Sequence, residues 1–150
     1  MKASDGSIKW TFTGKNWFWA QPVIDNATVY AGCLDGFIYA LNPDTGVIVK
    51  EFDVKKELDL KSPVAFSSQP VIVDSSIIFA DREGVIFAIN TDNSQIRVII
   101  NLKEKLKKDV TVDGPLTAYK GIIYVHTQDG ALQRINAVTG ASLSPILLHT

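Results

Sequence analysis

Apolar residues along this chain come in short alternating runs, and clusters of polar turn residues separate them. The clearest runs are "TVYAG", "FIYALN", "IIFAD", "VIFAIN", "IIYVH" and "ALQRIN". Each is rich in β-branched or aromatic residues and is bounded by Gly, Asp, Asn, Ser or Pro, which is the pattern of strands rather than helices. The runs also recur in register. Three segments, residues 20–52, 68–100 and 113–146, align through Pro22, Pro70 and Pro115. They align again through the pairs Asp35-Gly36, Glu83-Gly84 and Asp129-Gly130, and through Asn42, Asn90 and Asn136. Each segment opens with a short apolar stretch after its proline (Val23-Ile24, Val71-Ile72, Leu116-Thr117). A polar turn, a β-rich run, the acidic-Gly turn, an alternating run, a second turn and a final run follow.

That grammar gives four short strands per unit, with a period of about 45–50 residues, which is the signature of a propeller blade. The predicted fold is therefore all-β: a β-propeller segment of three four-stranded antiparallel blades plus one N-terminal strand from a preceding blade. The blades are expected over residues 15–54, 65–102 and 110–150, and the trailing strand within 1–14. The aligned glycines suit tight turns needing a positive φ, and the acidic residue before each can accept turn amides. A proline at the start of a first strand removes a ladder donor where pairing is only beginning. These positions read as turn chemistry, not catalysis.

Composition narrows the function classes. The chain has 150 residues, 46% hydrophobic and 21% charged, which suits one globular domain. A formal net charge of -1 gives no polybasic or polyacidic character, so nucleic acid is not expected as a partner. No apolar run approaches the length of a membrane span, so membrane insertion is not expected either. The opening "MKASDGSIKW" lacks the apolar core of a secretory signal. Cys33 is the one cysteine, which rules out an intrachain disulfide or a CxxC motif, and it is expected as a small buried hydrophobe. His126 and His149 lie far apart, and neither has a neighbour at metal-ligand spacing. The residues themselves call for no cofactor and no metal.

The first repeat, "VIDNATVYAGCLDGFIYALNPDTGVIVKEF", resembles the PQQ-like β-propeller repeat. The likeness runs through Val29, Tyr30, Gly32, Asp35, Gly36, Tyr39, Ala40, Leu41, Thr45, Gly46 and Phe52. The opening "DGSIKWTF" resembles the end of a preceding blade, with Trp10 at the usual docking tryptophan. The later repeats match less closely and carry Val49-Lys50-like replacements, or Ile and Leu, where that tryptophan belongs. The resemblance implies one of two kinds of protein. Quinoprotein dehydrogenases hold PQQ and calcium at the propeller centre. Non-enzymatic propellers include the lipoprotein subunit of the outer-membrane barrel assembly machinery. The dehydrogenases carry a vicinal cysteine pair and a set of oxygen ligands for calcium, and a chain with one cysteine does not match that pattern. The expected function is a non-catalytic binding or scaffold module, with a quinoprotein dehydrogenase fragment and a purely structural domain as alternatives. Relatives are often exported in bacteria, so the resemblance suggests an extracytoplasmic setting; the residues fix no compartment.

Propellers usually close with four to eight blades. Three blades are thus expected to be a piece of a longer propeller, or to complete a ring by self-association through exposed blade edges. Two charged connectors, residues 53–66 and 101–113, read as solvated surface loops, although "KKELDL" and "KEKLKK" also suit a short helical turn. Both should emerge on the face that carries Asp35, Glu83 and Asp129. The aromatic stretch "NWFWAQP", residues 16–22, enters the innermost strand on that face. Aligning the prolines sets Trp19 over Ser67 and Val112, and Trp17 over Ala65 and Val110. Alternation sends Trp17 and Trp19 one way and Phe18 the other. Two readings stay open for these tryptophans: packing between blades, or an anchor for a partner. Trp19 is expected to pack and Trp17 to be the anchor. The candidate partner-binding residues are Trp17, Trp19, Asp35, Lys55, Lys56, Lys61, Glu83 and Asp129, for a protein or peptide on the loop face.

Overall fold

The computed structural model describes residues 1–112 and 114–147. His149 and the last residues of the expected third blade lie outside the described residues, as does Asp113. The three repeats are three four-stranded antiparallel sheets, each a simple meander. Blade 1 holds β1 (Val23–Asp25), β2 (Thr28–Gly32), β3 (Phe37–Leu41) and β4 (Ile48–Asp53). The connector helix α1 (Val54–Glu57) leads to blade 2, with β5 (Val71–Val73), β6 (Ser76–Ala80), β7 (Val85–Asn90) and β8 (Ile96–Asn101). Helix α2 (Leu102–Leu106) leads to blade 3, with β9 (Thr117–Tyr119), β10 (Ile122–His126), β11 (Ala131–Asn136) and β12 (Ser142–Leu147).

The aligned asparagines close the turns between third and fourth strands. Asn42 Oδ1 accepts the amides of Asp44 (2.9 Å) and Thr45 (3.0 Å). Asn90 Oδ1 accepts Asp92 and Asn93 at 3.0 and 3.1 Å, and Asn136 Oδ1 accepts Val138 and Thr139 at 3.0 and 2.9 Å. A short side-chain amide that mimics a backbone turn is why the same residue recurs at this place.

The cores lie between blades, so the inner strands of blade 2 are buried on both faces. One face of blade 1, here its forward face, puts Tyr30, Ile38, Ala40 and Phe52 against Ile77, Phe79, Phe87 and Ile89 on the back face of blade 2. The forward face of blade 2 puts Ile78, Ala80, Ile86 and Ala88 against Ile123, Val125 and Ile135 of blade 3. The strands are therefore near-continuous apolar runs instead of clean alternations.

Among the described residues the back face of blade 1 is covered by the N-terminal segment and not by a sheet. Val29, Tyr39 and Leu41 there are covered by Trp10, Phe12 and Phe18. Ring centroids lie 5.0 Å apart for Phe12 and Tyr39, and 5.8 Å for Phe18 and Tyr39. The expected trailing strand is not formed: among the described residues the first strand begins at Val23. Residues 7–12 have the composition of a strand but no ladder neighbour, and pairing is what makes a strand. Trp10 nonetheless docks where the blade pattern puts it. Its Nε1 donates to the Pro43 carbonyl at 2.8 Å, and a Cβ at Gly46 would come within 2.6 Å of its ring.

The connectors depart from the expectation of plain loops, because each begins on a residue able to cap a helix. Asp53 accepts the Lys56 amide at 3.1 Å to start α1, and Asn101 accepts the Glu104 amide at 3.2 Å to start α2. Val54 and Leu102, both fully buried, hold these single turns onto the ends of the two seams.

Candidate interaction face

The acidic-Gly turns and the connectors do meet. A Cβ at Gly36 would lie 2.9 Å from the Val64 carbonyl, and one at Gly84 would lie 3.0 Å from Val110. With φ of +86° and +84°, only glycine fits these two turns on both counts. Lys103 Nζ reaches Glu83 at 3.9 Å and Asp109 at 2.8 Å, while Lys108 pairs with Asp129. The second connector is thus tied to the turns on either side of it.

The three acidic residues do different work. Asp35 Oδ1 accepts the Phe37 amide at 2.8 Å, and its Oδ2 accepts the Tyr39 hydroxyl at 2.8 Å. Asp129 Oδ1 accepts Thr127 Oγ1 at 2.6 Å and the Ala131 amide at 3.4 Å. Lys108 and then Thr127 bring the Asp129 carboxyl down to about 2. Glu83 does not take this part, contrary to the aligned reading, because its carboxylate sits one methylene further out. Its place is filled from the other side of the turn by Asp81, whose Oδ1 accepts the Val85 amide at 2.8 Å. Asp81 is only 2% exposed, and burial pushes its carboxyl up to about 6. Sequence reasoning missed Asp81. The signal was available in the departure of Glu83 from the Asp of the other two repeats.

The tryptophans stand at the edge of this face. Three amides of the acidic turns bond back to the entry segments: Leu34 to the Trp17 carbonyl, Arg82 to Ala65 and Gln128 to Thr111, each at 3.1 Å. Trp17 therefore matches Thr111, not Val110 as the proline alignment had it, because the third entry is one residue shorter between Val112 and Pro115. Phe18, Phe66 and Val112 share the inward position, and the last two are fully buried. Trp17 is 70% exposed and Trp19 58% exposed. The alternation holds, but Trp19 does not pack as expected: it shares the outward side with Trp17, and among the described residues nothing buries either. Lys55 and Lys56 are exposed on α1, and Lys61 pairs with Asp59 at 3.2 Å in the open. A shallow depression of about 480 Å³ lies between Phe37, Glu51, Asp53, Lys56 and Glu57. Lys15 Nζ stands 4.5 Å above the Phe37 ring.

Among the described residues no quinone-calcium centre is assembled. Cys33 is the one cysteine, it is fully buried, and burial raises its thiol pKa. Among the described residues no three of His, Cys, Asp and Glu are grouped to hold a metal ion. Among them, too, no helix is long and apolar enough to cross a membrane.

The backbone is shared with known propellers. BamB from Moraxella catarrhalis superposes with a TM-score of 0.67 at 21% identity, over 94% of this chain and 39% of that one. The computationally designed Ika4 protein gives 0.68 at 19% identity, over 96% of this chain and 81% of that one. Quinohemoprotein alcohol dehydrogenase from Comamonas testosteroni gives 0.67 at 16% identity, over 87% of this chain and 21% of that one. At these identities the likeness is one of fold. No curated protein matches the chain. The chain spans about two fifths of the length of the BamB structure, as its 39% coverage shows. The family model for the outer membrane protein assembly factor BamB matches residues 1–98 and 34–143, which together run from before the docking tryptophan to the start of the last strand of blade 3, and the chain belongs to that family of PQQ-like propellers.

Proposed function

We propose that this chain is a non-catalytic part of a larger propeller and that it binds a protein or peptide on the face carrying its connectors and acidic turns. The observation that carries the reading is the pair Trp17 and Trp19, 70% and 58% exposed on a segment otherwise pinned by the half-buried Phe18 against Phe12 and by a backbone hydrogen bond. Large exposed aromatics on a rigid support cost little to order and make good anchors. Asp35, Glu83 and Asp129, with Lys55, Lys56 and Lys61, supply the polar surround of such a surface.

The test is capture by the immobilised chain from an extract of its source cells. Trp17→Ala and Trp19→Ala should each weaken retention of the bound protein by roughly 2 kcal/mol or more. Both variants should melt within about 0.5 kcal/mol of the parent, as exposed positions do. Loss of fold in both, or undiminished capture, removes the anchor. A stoichiometric complex with PQQ and calcium that oxidises an alcohol or sugar would replace this reading with that of a quinoprotein fragment.

A further inference from the structure

The two internal seams share a frame and differ in what fills it. Cross-strand pairing and the aligned repeats give each residue of one seam a counterpart in the other. Four pairs are unchanged: Ile38 and Ile86, Ala40 and Ala88, Ile77 and Ile123, Ile89 and Ile135. Five are not. The seam between blades 1 and 2 has Tyr30, Phe52, Phe66, Phe79 and Phe87. At the same places the seam between blades 2 and 3 has Ile78, Ile100, Val112, Val125 and Gln133. Every ring is replaced by something smaller, and the one methyl gained is Ala80 for Gly32.

The loss centres on one residue. In the first seam the rings of Phe79 and Phe87 stand edge-on to Phe66, with centroids 5.6 and 5.7 Å from it. Their counterparts around Val112 are Val125 and Gln133. The entry backbone comes no closer to compensate. The Phe66 amide donates across the first seam to the Cys33 carbonyl at 3.2 Å, and the Val112 amide donates across the second to the Arg82 carbonyl at 3.2 Å. An equal backbone approach with smaller side chains leaves space beside Val112 that rings fill in the first seam.

Gln133 brings polar atoms to that space. It is 2% exposed, and its pairing with Val125 turns it toward blade 2. Its Nε2 reaches Thr127 Oγ1 only at 3.5 Å, and its Oε1 has no hydrogen-bond partner among the described residues. The equivalent Tyr39 is polar too, but its hydroxyl reaches Asp35 at 2.8 Å, so blade 1 needs no outside donor. Hydroxyls are also left under-bonded at the same entry residue. Ser67 and Ser68 share the Val112 carbonyl at 3.4 and 3.5 Å, beyond the usual range for such bonds.

We propose that the seam between blades 2 and 3 holds an internal water site beside Val112, in which a water molecule donates to Gln133 Oε1. Buried water settles where polar groups lack partners and the packing leaves room for it. An apolar molecule in the same space would leave the amide oxygen without a donor. The first seam, with Phe87 at this position, is dry.

The experiment uses the full chain with labelled methyl groups and reads Overhauser transfer from water to the methyls of Val112 and Val125, in the laboratory and rotating frames. A water held in place gives opposite signs in the two frames, whereas proton exchange gives the same sign in both. The wild type should show peaks of opposite sign. They should be lost in Gln133→Leu and Gln133→Met, and kept in Thr127→Val, which removes a neighbouring hydroxyl able to relay the signal. Methyl dispersion shows which variants are folded, and either Gln133 variant suffices; should neither fold, the wild-type and Thr127→Val spectra decide. No transfer to either methyl in the wild type, peaks that survive in a folded Gln133 variant, or peaks lost in folded Thr127→Val would overturn the proposal.

Discussion

Asp81 is a carboxylic acid in a place where its relatives by repeat, Cys33 and Thr127, carry no charge. It is kept there because the Val85 amide needs an acceptor that Glu83 cannot provide. The folded state holds the proton of Asp81 up to about pH 6, whereas an unfolded aspartate releases it near the ordinary value of 3.8. The folded chain therefore binds more protons between these values. The contribution of this group is fully present below pH 3.8 and is lost as the pH rises to about 6. Asp81→Asn keeps an acceptor oxygen for Val85 and removes the ionisation. It should stabilise the fold at pH 7 by roughly 1–3 kcal/mol and leave stability unchanged near pH 3.5. Denaturant melts of the two proteins across pH 3.5–7 check this, and parallel curves would refute it. Asp129 works in the opposite sense: its contribution is lost as the pH falls from the ordinary aspartate range through about 2.

At the scale of elements, three polar latches reach the turn between the third and fourth strands of a blade, one from the N-terminal segment and two from the outer strand of the preceding blade, and they are not equivalent. Trp10 lies flat on Gly46 and donates to Pro43; Lys50 reaches toward Ser94; Arg97 donates to Ala137. A ring cannot lie flat where the receiving turn has a Cβ, as at Ser94; the third turn keeps Gly140 but receives Arg97, which bonds the Ala137 carbonyl instead. Trp10→Ala should cost roughly 2–4 kcal/mol through lost ring contact. Arg97→Ala should cost about 1 kcal/mol, a typical hydrogen bond, and Lys50→Ala less than about 0.5 kcal/mol. Thermal melts of the three variants should fall in that order, and a dominant Lys50 would contradict the scheme. The strands, their order and the acidic turns were legible in the sequence because they rest on local patterns repeated three times. What was not legible depended on partners distant in the chain. Residues 7–12 read as a strand but lack a neighbour to pair with. The exposure of Trp19 depends on what lies across from it in space, which its own neighbours in sequence do not specify. Arg97 could be seen only as a missing tryptophan until its acceptor 40 residues on was in view.

For the molecule as a whole, the decisive feature is that the cores lie between sheets and that successive residues of one strand feed different cores. Ile77 belongs with Phe66 and Phe79 toward blade 1, while its chain neighbour Ile78 belongs with Ile123 and Ile135 toward blade 3. Nearness along the chain is thus a poor guide to energetic dependence. In double-mutant cycles, Ile78→Val and Ile123→Val should show a clear non-additive term, on the order of 0.5 kcal/mol or more. Ile77→Val and Ile78→Val, though covalently adjacent, should add within about 0.3–0.5 kcal/mol. The reverse result would mean that each sheet behaves as its own unit. The consequence reaches to inheritance: a change in one repeat selects for an answering change some 45 residues away, not next door, so the repeats of such a protein drift apart in matched pairs of faces, and a repeat moved whole to another position meets two strangers at once.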